Sequence, residues 1–326
     1  MISISVCMIV KNEEEILARC LESLKGLWEE LVIVDTGSTD RTKQIAASYT
    51  DHVYDFVWTG SFSDARNFAF SKCTKDYIYS ADADEVLDEE NRKRFLILKQ
   101  AMDPRVEIVQ MRYGNQLQNG TIYNFDEEYR PKLFKRQREF CWIYPIHETV
   151  RLDPIVFESE VVITHMPKET ASHTARDLAA FERVVREEGG LDRRLHDLYA
   201  KELFVSGGDE DFLRAESYFA GRADDGKADP EGLLESCCVA ARAARIRGDS
   251  ESFYRMALKG VAIGGCSELC YELGEYYRVQ GRTEDARRWY KTALQDTECI
   301  MSLRYGKDLP EKALSGIGYE EDPSAQ

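Results

Sequence analysis

Short apolar runs alternate with amphipathic stretches along the first part of the chain. Residues 2–10 (ISISVCMIV) and 30–35 (ELVIVD) are almost unbroken apolar runs, a pattern typical of strands in a parallel sheet that is covered on both faces. Further strands are predicted at 52–57 and 77–80. Helical spacing appears between the runs, first at Ile16, Leu17, Cys20, Leu21 and Leu24. This alternation predicts an α/β fold with a mostly parallel sheet.

The pattern changes twice beyond this region. Residues 106–165 contain runs that predict mixed or antiparallel strands, with Asn119-Gly120 as a hairpin turn. After Pro167 the composition shifts to helix formers. We therefore predict three parts: an α/β domain over 1–168, an all-α domain over 169–315 and a flexible tail over 316–326.

The helical part contains an internal repeat. Residues 271–293 place small and large side chains at the offsets of a tetratricopeptide helix pair, with Gly281 at the turn. Gly248-Asp249 and Gly207-Gly208 take the same place in two more degenerate copies. Stacked helix pairs bury a shared core and leave a concave face for a partner. The alternative is that these helices only brace the first domain.

Polar residues follow the predicted strands where each one ends. Asn12 follows the first strand and is a candidate N-cap of the first helix. Asp35 ends the second strand, and Asp82-Ala83-Asp84-Glu85 follows the fourth. Ligands of parallel α/β sheets bind beyond the carboxyl ends of the strands, so one crevice can collect these side chains. Clustered carboxylates need a compensating cation, and oxygen ligands favour Mg²⁺ or Mn²⁺. The alternative is a solvated acidic turn that caps the next helix.

Composition narrows the class of protein. The formal net charge of -16 and a pI near 4.9 argue against binding to nucleic acid or to an anionic membrane surface. The chain has nine cysteines, an odd number, and they form no pair of CxxC motifs. This pattern favours reduced thiols over disulfide bonds or a zinc site. Residues 2–10 lack the basic flank of a signal peptide. We therefore expect a cytoplasmic protein with no integral membrane segment, and the repeats leave a homo-oligomer open.

Four segments, in order along the chain, resemble the successive motifs of the family 2 glycosyltransferases, which have the GT-A fold. These segments are Cys7–Glu14, Val34–Thr42, Ala65–Asn67 and Asp82–Glu85. The resemblance covers about residues 1–165. It implies a sugar-nucleotide donor, a divalent metal ion (Mn²⁺ or Mg²⁺) and inversion at the anomeric carbon. A GT-A domain followed by tetratricopeptide repeats also resembles bacterial enzymes that glycosylate peptides or proteins.

The resemblance assigns roles to single residues. It implies that Asp84 binds the metal ion directly and that Asp82 reaches the ribose or a metal-bound water. Asp35 would accept a hydrogen bond from the base, most simply from uracil N3–H, so a UDP-linked donor is expected. The other expected donor contacts are Val10, Asn12, Glu13, Arg66 and Ala83. For Arg66 the alternative is a surface ion pair with Asp64.

The second half of the site rests on two histidines and two carboxylates. His147 and His165 are candidates for a further metal ligand or a pyrophosphate contact, and the alternative is that they are core histidines. An inverting enzyme needs a base for the acceptor proton, and Glu148 and Asp126 are the candidates. Adjacent strand residues point to opposite faces, so His147 and Glu148 share a site only if a loop or bulge intervenes.

One basic segment, Arg130–Lys135, has two interpretations. It could complement the donor diphosphate, or it could be a basic edge strand that keeps the protein soluble.

The sequence thus predicts a metal-dependent, inverting glycosyltransferase with a peptide or protein acceptor that the repeats partly hold. One alternative is the same chemistry on a cell-envelope glycan, such as lipopolysaccharide core or capsule. A sugar nucleotidyltransferase would need a Gly-rich basic loop where this chain has Lys11-Asn12-Glu13-Glu14. A repeat scaffold with an inactive transferase domain is disfavoured because Asp82 and Asp84 are intact.

Overall fold

The protein forms two compact units, Met1–Ser172 and His173–Gln326. The computed structural model describes residues 1–114, 128–150, 155–168, 174–225 and 229–317. The predicted turn at Asn119-Gly120 and the candidate base Asp126 lie outside these residues. Of the helices in the described ranges, none has the length and apolar character needed to cross a bilayer.

The first unit alternates strands and helices as the apolar pattern predicts. Its described strands are β1 (Ile4–Val10), β2 (Glu30–Asp35), β3 (Val53–Asp55), β4 (Tyr77–Ser80), β5 (Glu85–Val86), β6 (Ile108–Gly114), β7 (Glu128–Lys135), β8 (Trp142–Ile143), β9 (Thr149–Val150) and β10 (Val156–His165). Its described helices are α1 (Leu17–Leu24), α2 (Thr42–Ala47), α3 (Phe62–Ser71) and α4 (Glu89–Ala101). A short 3-10 turn, Arg136–Arg138, follows β7.

Eight of these strands form one sheet, in the order β3-β2-β1-β4-β7-β6-β10-β5. The β1–β2, β1–β4, β2–β3 and β6–β10 pairs are parallel. β7 runs antiparallel between β4 and β6, and β5 runs antiparallel to β10. β8 and β9 form a separate hairpin. The prediction of an α/β fold with a mixed, mostly parallel sheet is confirmed.

The central strands are buried on both faces, which explains why they are unbroken apolar runs. All six residues of β2 are buried. One core layer contains Leu17, Ile33 and Phe95, and the other contains Val32 and Phe70. Helices therefore cover both faces and leave the carboxyl ends of β1, β2 and β4 as the edge where polar residues gather.

β7 lies in the middle of the sheet, so the edge-strand interpretation of Arg130–Lys135 is wrong. Its register against β6 shifts between Val109↔Leu133 and Gln110↔Pro131. Proline has no N–H to donate and is tolerated inside a sheet at such bulges. The sequence alone does not place β7, because the strand order depends on contacts between distant segments.

The second unit is helical throughout its described ranges. Its helices are α5 (Thr174–Glu188), α6 (Arg193–Ser206), α7 (Asp209–Asp224), α8 (Pro230–Arg247), α9 (Ser250–Ala262), α10 (Ser267–Val279), α11 (Thr283–Gln295) and α12 (Asp308–Gly316), with a 3-10 helix at Leu303–Gly306. The repeat prediction is confirmed in the pairs α6/α7, α8/α9 and α10/α11. Gly248 and Gly281 have φ of 78° and 73°, a left-handed conformation that suits glycine at the turn after a helix.

Close packing within the last pair requires a glycine. A Cβ atom built on Gly274 of α10 would lie 2.4 Å from Cε1 of Tyr290 on α11. Tyr290 is fully buried, so the ring has no room to move away. The small-and-large pattern of the repeat therefore reflects a tight contact between helices.

The segment after α11 packs on the first helices of the three pairs. The ring of Tyr305 contacts Phe204 of α6 and Tyr271 of α10, each with 5.2 Å between ring centroids. Arg242 of α8 donates a hydrogen bond of 2.6 Å to the Tyr305 hydroxyl. Part of the surface formed by α6, α8 and α10 is therefore covered by the chain itself.

Candidate active site

Asp35 closes the turn after β2 with one of its two carboxylate oxygens. Oδ1 accepts hydrogen bonds from the backbone N–H groups of Gly37 (3.0 Å) and Ser38 (2.9 Å). Oδ2 is buried and has no hydrogen-bond partner among the residues that the structure describes. A buried carboxylate oxygen without a donor is costly. The site therefore favours a ligand that donates a hydrogen bond here.

Asn12 connects the end of β1 to the same turn. Its backbone is left-handed, with φ of 56°, a conformation that asparagine tolerates. Its N–H donates to Ser38 Oγ (2.9 Å), and its Oδ1 accepts from the Thr39 N–H (2.7 Å). α1 begins only at Leu17, so the prediction that Asn12 caps this helix is wrong. The side chain instead fixes the turn after β2.

Asp82 lies between two cations. Its Oδ1 is 2.7 Å from Arg66 Nη2, and its Oδ2 is 3.2 Å from Lys132 Nζ. Burial alone would raise the pKa of Asp82, but Arg66 and Lys132 outweigh that effect and hold the pKa well below its usual range. Asp82 is therefore ionised at any physiological pH.

Glu85 turns inward and does not cap α4. It is 2% exposed, accepts a hydrogen bond of 3.2 Å from the Asp82 N–H and forms an ion pair with Lys132. Burial raises the pKa of Glu85 above its usual value, although the Lys132 ammonium opposes this shift. The cap of α4 is Asp88, which accepts from the Asn91 N–H (2.8 Å). The alternative of a solvated capping turn is therefore wrong for Glu85.

Arg66 on α3 connects several parts of the site. Its Nε is 2.6 Å from Glu148 Oε1, and its Nη1 donates to Ser80 Oγ at 3.1 Å. Burial would lower the pKa of Arg66, but the Asp82 and Glu148 carboxylates raise it well above its usual value. Its ion pairs join it to Asp82 and Glu148 and not to Asp64, so the surface-pair alternative is wrong.

Asp84 is more accessible than Glu85. Its side chain is 31% exposed, and its Oδ2 is 3.2 Å from His165 Nε2. The structure therefore brings the predicted metal ligands Asp84 and His165 together, at the ends of segments far apart in sequence. Within the described ranges, no group of three or more His, Cys, Asp and Glu side chains has the arrangement of a metal site.

The loop between β8 and β9 carries His147 and Glu148. His147 has a left-handed backbone, with φ of 48°, which breaks the alternation of a strand. Asn67 holds the hairpin to α3, since its Nδ2 donates to the Trp142 carbonyl (3.0 Å) and its Oδ1 accepts from the Trp142 N–H (2.8 Å). The loop that the sequence analysis required is therefore present, and it directs Glu148 to Arg66.

The remaining predicted donor contacts lie along the loop after β1 and in the segment after β4. The Val10 carbonyl accepts hydrogen bonds from the Thr36 N–H (2.9 Å) and Oγ1 (3.1 Å). Glu13 Oε2 is 2.8 Å from Lys168 Nζ. Ala83 is buried between the two aspartates. All three thus lie next to residues of the candidate site.

Sequence reasoning missed Lys168, and it did not single out Lys132 within the Arg130–Lys135 segment. Lys168 donates to the Asn12 carbonyl, and the Met166 N–H donates to the Asp84 carbonyl at 2.7 Å. The segment after β10 therefore connects Asp84 to the loop after β1. No local signal marks Lys168. The signal that could have singled out Lys132 is its place directly before the apolar pair Leu133-Phe134, and these three residues are the buried stretch of β7.

Comparisons with known proteins agree with this geometry. Residues 5–151 match the family described as glycosyl transferase family 2. A TPR repeat-containing protein from Synechococcus elongatus is 46% identical over 87 residues, which cover 27% of this chain and 22% of that protein. The lipopolysaccharide core biosynthesis glycosyltransferase LpsC from Rhizobium meliloti is 37% identical over 106 residues, 31% of this chain and 38% of LpsC. The chain thus spans well under half the length of these curated relatives.

Solved structures show a weaker likeness. Glucosyl-3-phosphoglycerate synthase from Mycobacterium tuberculosis, in complex with Mn²⁺, UDP-glucose and phosphoglyceric acid, superposes with a TM-score of 0.42 at 15% identity. The superposition covers 59% of this chain and 82% of that one. A likeness at this level establishes neither a ligand nor an activity.

Proposed function

Because residues 5–151 match the family described as glycosyl transferase family 2, we propose that this chain transfers a sugar from a nucleotide-sugar donor to an acceptor. One observation carries the proposal. Asp35 and Asn12 at the ends of β2 and β1 lie at the same edge of the sheet as Asp84 beyond β4, and the segment after β10 contacts both Asn12 and Asp84. Such an edge is where parallel α/β sheets bind their ligands.

The donor proposed is linked to UDP. Asp35 Oδ2 is a buried acceptor with no donor among the described residues, and uracil N3–H supplies one. Oδ1 already holds the turn, so Oδ2 is fixed in direction before a ligand arrives. The base would therefore bind at the Asp35 end, and the diphosphate would extend toward Asp84.

The metal ion proposed is Mn²⁺ or Mg²⁺, held by Asp84 with His165. The carboxylate and imidazole lie 3.2 Å apart, and such oxygen and nitrogen ligands suit Mn²⁺. When bound, the ion stabilises the charge that develops on the departing diphosphate. Asp82 and His147 stay proposed as additional contacts of the ion or its waters. Arg66 and Lys132 neutralise Asp82, so Asp84 provides the available negative charge.

The acceptor proposed is a peptide or protein that the helix pairs partly hold. The three stacked pairs offer a surface of the kind that binds extended partners. A second candidate is a glycan of the cell envelope, and it is favoured by the similarity to LpsC, a protein named for lipopolysaccharide core biosynthesis. Both acceptors use the same donor chemistry, so they are separated only by acceptor assays.

A donor-binding panel tests the donor and the metal ion. Calorimetry with UDP, GDP and CMP, each with and without Mn²⁺, is expected to show that UDP binds more tightly than GDP and CMP and that Mn²⁺ strengthens its binding. Asp84→Asn should reduce Mn²⁺-dependent hydrolysis of the UDP-sugar by about a hundredfold or more, because a preorganised charge at the leaving group is lost. Asp51→Asn, at an exposed position, is the control. Preferential GDP binding would overturn the uracil assignment, and full activity of Asp84→Asn would overturn the metal assignment.

An acceptor assay separates the two candidates. Labelled sugar from the preferred donor is offered with bacterial peptide and protein fractions and, separately, with lipopolysaccharide core oligosaccharides. Label in a protease-sensitive product supports the peptide or protein acceptor. Label that appears only on the oligosaccharide supports the glycan.

A further inference from the structure

A buried cation, Lys132, contacts two members of the carboxylate cluster, Asp82 and Glu85, and lies outside the four motif segments named in the sequence. Lys132 is 5% exposed. Its Nζ forms an ion pair with Glu85, lies 3.2 Å from Asp82 Oδ2 and is 5.6 Å from the centroid of the Tyr113 ring. Burying an ammonium group is costly unless its partners are well placed. A lysine that only keeps the protein soluble would be exposed, so the burial of Lys132 has another reason.

The pairing register of β7 with β6 shifts at this residue. Val109 pairs with Leu133 and Gln110 pairs with Pro131, so Lys132 is the extra residue of a β-bulge. Bulges redirect a side chain, and they are common next to active sites. Here the bulge directs Lys132 toward the segment that follows β4. In a regular strand, successive side chains alternate between the two faces of the sheet, and the bulge interrupts this alternation at Lys132.

The two oxygens of Asp82 are held by cations from two different elements. Arg66 on α3 holds Oδ1 at 2.7 Å, and Lys132 on β7 holds Oδ2 at 3.2 Å. Glu85 holds the backbone of the same residue, accepting its N–H at 3.2 Å. Two cations thus fix the orientation of the Asp82 carboxylate, and Glu85 fixes the backbone that carries it. Each carboxylate oxygen can still accept a further hydrogen bond from a ligand.

We propose that Lys132 is a positioning residue for the nucleotide-sugar donor. Together with Arg66 it fixes Asp82 so that the carboxylate presents its remaining acceptor capacity to donor hydroxyl groups, while Asp84 stays available for the metal ion. This inference rests on the proposed function. A structural role would differ, since Lys132 would then serve only to neutralise the buried Glu85.

The test compares Lys132→Met with the double variant Lys132→Met/Glu85→Gln. The single variant leaves Glu85 buried without its cation, so its thermal midpoint is expected to fall. In the double variant the side-chain amide that replaces the carboxylate keeps an acceptor for the Asp82 N–H, and the midpoint is expected to recover. Donor binding should not recover: we expect the Kd of UDP without metal and the KM of the UDP-sugar to stay raised by about tenfold, as for other residues that orient a ligating group.

Lys99→Met is the matched control. Lys99 is also a buried lysine, 4% exposed, and it donates to the Leu27 carbonyl (3.0 Å) and pairs with Glu29 (2.5 Å) away from the carboxylate cluster. Its loss should lower the thermal midpoint and leave the UDP Kd and donor KM unchanged. This variant separates the effect of losing any buried cation from the effect of losing Lys132.

The outcomes are distinct. Wild-type UDP Kd and donor KM in the double variant would overturn the inference, because neutralising Glu85 would then be enough. If the double variant does not fold, Lys132→Arg decides: the guanidinium keeps the charge but not the geometry of an ammonium, so a raised KM is expected and a wild-type KM overturns the inference. A wild-type protein that binds no sugar nucleotide would instead overturn the proposed function, on which this inference depends.

Discussion

Glu148 shows how a single side chain can serve either structure or chemistry. Sequence reasoning made it a candidate base, but in the structure its Oε1 lies 2.6 Å from Arg66 Nε and its side chain is 12% exposed. The oxygen that faces Arg66 is taken up by this ion pair with a buried guanidinium. Its geometry therefore supports a role in holding Arg66.

We expect Glu148→Gln to raise the donor KM more than it lowers kcat. The neutral amide holds Arg66 less firmly, so the Arg66–Asp82 pair loses its fixed position. Steady-state kinetics of the UDP-sugar transfer would show this as a change in KM at nearly constant kcat. Asp126→Asn, at the other candidate base, is the comparison. A fall in kcat of about a hundredfold for Glu148→Gln at unchanged donor KM would instead identify it as the base.

At the scale of single elements, helix contacts and strand irregularities decide the geometry. In the repeat unit, α10 and α11 approach so closely that a glycine is required at the crossing. In the first unit, one bulge in β7 changes the direction of a buried lysine. In both cases a local feature of a few atoms positions a whole element or a site residue.

Gly274→Ala is expected to destabilise the protein by about 1–3 kcal/mol, the usual cost of overpacking. The added Cβ would lie 2.4 Å from Tyr290 Cε1, and the buried ring cannot yield. Urea denaturation would measure the change in the free energy of unfolding. Gly221→Ala in α7 is the matched control, because a Cβ there meets no atom within 4 Å. That control should be neutral or stabilising by about 0.5–1 kcal/mol, and equal losses in both variants would contradict the packing argument.

At the scale of the whole molecule, the proposed donor site and the proposed acceptor-binding helices belong to different units. The first unit contains every described residue assigned to the donor and the metal ion, and the second contains the stacked helix pairs. The surface of α6, α8 and α10 is partly covered by Tyr305 and its neighbours. An acceptor would therefore meet the parts of the helix pairs that this segment leaves open.

A fragment ending at residue 172 is expected to hydrolyse the donor and to lose transfer to the acceptor. The donor residues and their partners all lie within this unit, whereas the helix pairs are removed. Circular dichroism would establish that the fragment is folded, and mass spectrometry of the acceptor would measure transfer. A folded fragment that modifies the acceptor at full efficiency would mean that the helix pairs only brace the first unit.

The sequence predicted the site in part, and the reasons differ from residue to residue. Asp35, Asp84 and His165 were identifiable because each follows an apolar run, and strand ends meet at one edge of a parallel sheet. Lys132 was not identifiable in the same way. Its role depends on the position of β7 between β4 and β6 and on a register shift, and both arise from pairing between distant segments.

The amino-acid sequence by itself determined the α/β and all-α parts, the repeated helix pairs and the acidic end of the fourth strand. These properties follow from local periodicity and from the residues at the ends of each element. Only the tertiary structure decided that Asn12 fixes a turn rather than a helix, that Glu85 points inward and that Arg66 and Lys132 both hold Asp82. Those outcomes depend on which charged side chains become neighbours in the folded protein. Strand order and register bring together residues that are far apart in the chain, and the local pattern of apolar and polar residues does not contain that information.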